Sequence, residues 1–144
     1  FDVLYFPKAE DPALVGIARR DGRIILTRDT GLIERTAKRP DRLFVCSDDW
    51  EDQVVQVLDE YGLWDEVRPN TRCIACNIPL KPLSREQARN LVTPYVGGRG
   101  STFAVCSGCD RVFWQGTHYG EMEKKIERLK ARRGKAYPHP LALS

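Results

Sequence analysis

Cys73-Ile-Ala-Cys76 and Cys106-Ser-Gly-Cys109 constrain this chain more than any other feature. The two CxxC pairs are separated by 29 residues. Each pair reads as a tight turn that presents two thiolates. Two such turns complete the four-sulfur tetrahedron that Zn2+ accepts. The separation exceeds the common ribbon spacing of about 15–20 residues, so the connection must carry a hairpin or a loop. Reactive or disulfide-bonded pairs are the alternative. A cytosolic chain, which this one resembles in composition, keeps its thiols reduced and argues against them. Four sulfurs leave no open position for water, so the zinc on Cys73, Cys76, Cys106 and Cys109 is expected to be structural.

The chain has 144 residues, 42% of them hydrophobic, enough for one ordinary domain or two small ones with a real core. It starts at Phe1, which is not expected to be the native start. No apolar run approaches the ~20 residues of a membrane span, and no secretory signal pattern is present. A cytoplasmic protein without a membrane partner is the expectation. The fifth cysteine, Cys46, reads as a small buried hydrophobe on a strand.

The net charge of +3 hides an asymmetry. Residues 1–69 carry 10 Lys/Arg against 15 Asp/Glu, a net of −5, and residues 70–144 carry 13 against 5, a net of +8. A basic half attracts phosphates by counterion release. Clustered carboxylates hold hard cations. Either set of charges can also do no more than solvate a surface.

The acidic half alternates strand and helix. Val3-Leu4-Tyr5-Phe6 reads as a first strand. Asp11-Pro12 opens a helix that Asp21-Gly22 ends. Arg23–Thr27 is a second strand, apolar enough for burial on both faces. A helix follows over Thr30–Lys38, then a third strand over Arg42–Cys46. Ser47-Asp48-Asp49 starts a third helix, with Trp50, Val54, Val57, Leu58 and Tyr61 as its apolar stripe, and Tyr61-Gly62 ends it. This order predicts an α/β fold with a parallel sheet. Three strands make a small sheet, so a further strand and helix are expected upstream of Phe1 or from another chain.

Pro69 marks the next boundary. Residues 70–118 carry the ribbon, with Gly97, Gly98 and Gly100 as loop signals. Tyr119–Arg133 reads as a basic helix with Met122, Ile126 and Leu129 as its seam. Residues 134–144, with Pro138, His139 and Pro140, read as a tail. The expected domains are therefore 1–69, 70–118, 119–133 and 134–144.

Ligands of open α/β sheets sit at the carboxyl ends of the strands. Asp11, Asp29 and Asp48 follow the three predicted strands. Three acids there suit Mg2+ or Mn2+, which take oxygen ligands and keep waters. Such an ion activates water and stabilises the leaving oxygen in phosphodiester cleavage. Taken singly, each acid reads better as a helix cap; the two roles are compatible, and three such acids on three successive units favour the metal. In the basic half, Lys124, Lys125, Arg128, Arg132 and Arg133 are candidates for RNA-backbone contacts. Phe113, Trp114 and Tyr119 can stack on bases or form the ribbon's small core. His118 can contact RNA or cap the helix.

Thr27-Arg28-Asp29 after an apolar strand, eighteen positions beyond Asp11, resembles the PIN-like ribonucleases. Ser47-Asp48-Asp49, the paired CxxC motifs and Trp114-x-Gly116-Thr117-His118 narrow the likeness. Over about residues 1–130 the chain resembles the Mut-seven C-terminal RNase domain family, a PIN-like domain fused to a zinc ribbon. The resemblance implies a PIN-like three-layer parallel sheet, incomplete at the N-terminus, followed by a four-cysteine zinc ribbon and a basic C-terminal helix. It implies a metal-dependent ribonuclease in which Asp11 and Asp29 match two acidic positions and Asp48 a later one. Domains of this family begin with a strand ending in an acid and an arginine-containing helix, a segment absent from residues 1–144. The rival expectation is a catalytically silent module that binds RNA or a ribonucleoprotein. A third is a protein partner whose strand completes the sheet.

Overall fold

The computed structural model describes residues 1–37, 41–93 and 102–137. The chain divides into two compact units, Tyr5–Asp65 with Leu129–Ser144, and Phe1–Leu4 with Glu66–Arg128.

In the first unit, helix α1 spans Asp11–Asp21. Asp11 and Pro12 occupy its first two positions, where an acid favours the helix dipole and a missing N–H costs nothing. Gly22 ends the helix in the left-handed region, at φ 62°, which glycine adopts without strain. Strand β1 (Ile25–Thr27) pairs in parallel with β2 (Arg42–Phe44), Leu26 opposite Leu43. Helix α2 (Thr30–Arg35) connects them. Helix α3 (Trp50–Glu60) follows β2, and one 3-10 turn at Trp64–Glu66 follows it. Ala18, Ile25 and Leu32 form one buried cluster, with Leu14 and Val15 packed against it.

Three details of the predicted sheet change. Among the described residues the parallel sheet has two strands, not three. Val3-Leu4-Tyr5-Phe6 forms no strand, and Tyr5 is 82% exposed. Four apolar residues cannot hold a strand unless a neighbour accepts their backbone groups, and the run is divided between the two units. Nor is β1 covered on both faces, since Ile24 and Leu26 are each 43% exposed. The α3 stripe also turns. Trp50 and Val54 are exposed, while Glu51, Val55, Gln56 and Leu58 are buried.

Gln56 explains that rotation. Its Nε2 donates to Phe44 O at 2.7 Å and its Oε1 accepts from Cys46 N at 2.9 Å. The side chain thus satisfies backbone groups at the end of β2 that no strand reaches. A buried amide that makes both bonds avoids the penalty of unpaired polar burial. Cys46 follows β2 rather than lying on it and is half-buried. Helix α2 ends at Arg35, and Lys38 lies outside the described residues.

The second unit is a three-stranded antiparallel sheet in the order β3 (Lys81–Leu83), β4 (Phe103–Val105), β5 (Val112–Trp114). The connection between the cysteine pairs holds β3 and a short helix, α4 (Arg85–Arg89). Helix α4 is opened by a capping box in which Ser84 and Gln87 bond reciprocally. These inserted elements account for the long spacing of the pairs. Gly97, Gly98 and Gly100 lie outside the described residues. Helix α5 spans Thr117–Lys130, so Arg132 and Arg133 follow it rather than belong to it. Pro138, His139 and Pro140 lie outside the described residues. No described helix is long and apolar enough to cross a membrane.

Candidate functional site

The two cysteine pairs fold alike. Cys73 N donates to Ile78 O at 2.9 Å, and Asn77 N to Cys73 O at 2.8 Å. Cys106 N donates to Arg111 O at 3.0 Å, and Asp110 N to Cys106 O at 2.9 Å. Asn77 and Asp110 close the turns at φ 57° and 56°, a conformation their side chains tolerate. The repeated turn brings four Sγ atoms within 4.8 Å of one another. Cys73 and Cys109 sulfurs lie 3.7 Å apart. A tetrahedron with Zn–S near 2.3 Å has sulfurs about 3.8 Å apart, so the donor set fits a metal ion of that size. Gly108 sits at a close approach. A Cβ there would meet Ile78 Cδ1 at 2.6 Å, with Cys76 and Cys106 sulfurs at 3.7 and 3.8 Å.

The thiols also show why the cluster suits a cation. Burial pushes the Cys73 thiol up, but N–H donors of Cys76 and Ala75 and the other sulfurs more than offset it, bringing it down to about 7. Contact with the Cys109 sulfur, then burial, pushes Cys76 up to about 12. Four adjacent thiols cannot all ionise unless a cation compensates them.

The acids are arranged differently. Asp29 caps α2, its Oδ1 accepting from Leu32 N at 3.0 Å. Asp11 is the first residue of α1 rather than its cap, and its Oδ2 pairs with Arg35 Nη2. Asp48 is exposed and pairs with Arg28 Nη1. The cap of α3 is its neighbour Asp49, whose Oδ1 accepts from Glu51 N and Asp52 N at 3.0 Å each. Asp29 Oδ1 and the Arg35 guanidinium both come close to Gly31. A Cβ on Gly31 would lie 2.9 Å from Arg35 Nη1 and 3.1 Å from Asp29 Oδ1. Asp11, Asp29 and Asp48 form no three-ligand group. Among the described residues only the four cysteines bring three or more ligand atoms that close together.

The segment after α5 straps down on the α/β unit. Arg132 Nη1 lies 3.1 Å from Asp52 and 3.3 Å from Asp49, and its Nη2 lies 3.3 Å from Glu51. Gly134 N donates to Asp59 Oδ2 at 2.9 Å, and Asp59 Oδ1 accepts from Trp64 Nε1 at 2.6 Å. The Arg133 guanidinium lies 5.8 Å from the Trp64 ring centre. Lys135 Nζ bonds Asp52 at 2.5 Å and holds its carboxyl below the ordinary value, against an opposing push from burial. Arg132 and Arg133, both predicted RNA contacts, are thus engaged with Asp49, Glu51, Asp52 and Trp64. Lys124, Lys125 and Arg128 lie on α5. The side chain of His118 is outside the described residues.

Sequence reasoning missed Arg35, Gln56 and Lys135, and it offered Asp48 rather than Asp49 as the cap of α3. Asp49 was legible as the residue just before the α3 periodicity. Arg35 had a weaker signal, its position four residues after a glycine on one helix.

A family model, the Mut7-C RNAse domain, matches residues 1–126. The chain belongs to the Mut7-C RNase domain family. No curated protein and no solved structure matches it. Membership in the Mut7-C family implies a ribonuclease with an RNA substrate. The match takes in Asp11, Asp29, Asp48 and all four cysteines, and it ends before Arg128 and the strap.

Proposed function

We propose that this Mut7-C domain is a metal-dependent ribonuclease of PIN-like fold that hydrolyses RNA phosphodiester bonds in the cytoplasm, with a structural zinc ribbon that aids RNA binding. What supports the reading is the Mut7-C family match over residues 1–126, which takes in Asp11, Asp29 and Asp48. Mg2+ and Mn2+ take one or two carboxylates and keep waters. Asp11 and Asp29 would hold such an ion, whose chemistry at a phosphodiester is water activation and charge neutralisation. Asp48 orients the attacking water. Lys124, Lys125 and Arg128 supply phosphate contacts of the salt-dependent, sequence-independent kind. Arg132 and Arg133 hold the strap.

The zinc on Cys73, Cys76, Cys106 and Cys109 is read as structural, since four thiolates fill a tetrahedral shell. The decisive variant is Asp29→Asn. Asparagine caps a helix as well as aspartate does, so the fold should survive while Mn2+-dependent cleavage is lost. Cleavage equal to wild type would overturn the assignment.

A catalytically silent binding module has one observation in its favour. Asp11 and Asp48 are each paired with an arginine, and Asp29 is occupied as a cap. Salt-sensitive RNA binding without metal-dependent cleavage would decide for it. A two-stranded parallel sheet also leaves edges to which a protein partner's strand could be added.

A further inference from the structure

Four of residues 130–135 are Lys or Arg, and none is acidic. They lie beyond the span that the family model matches. Their seat is one face of α3, on which Asp52 and Asp59 stand seven positions apart. Asp52 is its centre, 3.1 Å from Arg132 Nη1 and 2.5 Å from Lys135 Nζ. Glu51 takes the other end of the Arg132 guanidinium at 3.3 Å. Gly134, at φ 79°, turns its N–H to Asp59 Oδ2, in a backbone conformation that glycine adopts without strain.

Exposure is divided unequally across these pairs. The side chains of Glu51 and Asp52 are 11% and 14% exposed, those of Arg132 and Lys135 40% and 52%. A nearly buried carboxylate is costly without a cation, so the seat holds the strap. The cations keep an open side toward solvent, where a second anion can approach them. The seat starts where α3 follows the carboxyl end of β2, the end of an open α/β sheet at which ligands bind.

We propose that the strap is an autoinhibitory latch: the acids of α3 hold Arg132 and Lys135 away from RNA, and an RNA backbone that competes for these cations unseats it. The latch deepens the ribonuclease reading above and rests on the RNA substrate that reading requires. An arginine fork fits carboxylate and phosphate alike, and a lysine ammonium serves either as a point charge. Each phosphate contact that a strap cation makes breaks an internal pair, so part of the gain in binding is lost. Asp52 is the partner common to both cations, and its neutralisation should free both at once.

The test is binding of a fluorescently labelled single-stranded RNA to the zinc-loaded full chain, followed by anisotropy over a series of salt concentrations with no Mg2+ or Mn2+ added. Wild type is compared with Asp52→Asn, with Glu60→Gln, and with Asp52→Asn combined with Arg132→Gln and Lys135→Met. Circular dichroism checks folding. Glu60 is an exposed acid of the same helix, so its substitution removes an equal charge away from the strap pairs. Asp52→Asn should tighten RNA binding roughly two- to fivefold, the range of one or two such ion pairs. It should also steepen the fall of log K with log salt by about 0.7 for each cation freed. The combined variant should lose both gains, and Glu60→Gln should show neither. Equal behaviour of Asp52→Asn and Glu60→Gln, or a gain that survives in the combined variant, would overturn the latch and leave RNA binding standing. If neither wild type nor Asp52→Asn binds RNA, the latch falls together with the RNA-binding part of the reading above. Cleavage is read separately in Asp29→Asn, so the two failures are distinguished.

Discussion

The ribbon and the α/β unit each gather groups that repel one another when ionised, and they compensate them by different means. In the ribbon, four sulfurs converge within 4.8 Å and meet one another and backbone N–H groups. In the α/β unit, the acids at the strand ends are compensated by side chains of the same chain. Asp11 has Arg35, Asp48 has Arg28, and Asp52 has Arg132 and Lys135. A cluster that needs an outside cation stands or falls with that ion. A cluster compensated internally loses only a little with each partner.

Metal removal should therefore divide the molecule most sharply. Binding of a structural zinc contributes on the order of 10 kcal/mol to folding. Cys106→Ser, at a side chain with no solvent exposure, should open the span 70–116 to proteolysis and leave 11–60 protected. Equal cleavage of both regions would break the contrast and show that they fold as one.

The next effect is expected at Gln56→Leu. It leaves Phe44 O and Cys46 N without their partner, at about 1–3 kcal/mol for each unsatisfied buried group. Urea unfolding should locate that loss in the α/β unit, with zinc content unchanged. Gly108→Ala is the ribbon's counterpart. Its Cβ would stand 2.6 Å from Ile78 Cδ1, and overpacking of this kind costs typically about 1–3 kcal/mol. The end of the isoleucine can shift, so the lower part of that range is expected, together with weaker zinc retention against a chelator.

Asp49→Ala should cost about 1 kcal/mol, the usual worth of a helix cap, and should loosen the Arg132 contact as well. The smallest effect is the strap itself. Asp52 is held below the ordinary carboxylate value of 3.8 chiefly by Lys135. A depressed folded value means that its contribution is complete above the ordinary value and is lost as pH falls through the folded one. Trp64 fluorescence should therefore report strap release only below about pH 4, and Lys135→Met should remove that transition. Release at neutral pH in high salt would show that screening of the surface charges, rather than Asp52 protonation, controls it.

Much of the candidate site was legible in the sequence, for stated reasons. The cysteine spacing identified the four-sulfur group that could hold a metal ion because CxxC turns are local and each brings its own left-handed closing residue, Asn77 or Asp110. Asp29 was legible both as an acid after a strand and as a cap, and it is a cap. Gly22 and Gly62 ended α1 and α3 as expected, both with positive φ. The third helix was found but its face was misread, because Gln56 is polar by type and buried by its hydrogen bonds.

The sequence by itself determined the local chemistry: four thiols at two turns, caps at two helix starts, and an acidic half followed by a basic one. These follow from contacts a few residues apart, where spacing fixes geometry. Only the tertiary structure decided which long-range partners meet. Arg35 and Asp11 are 24 positions apart, and Arg132 and Asp49 are 83 apart. Such pairs depend on how helices and strands return past one another, and an arginine's reach of several ångströms allows too many partners for sequence pattern to choose among them.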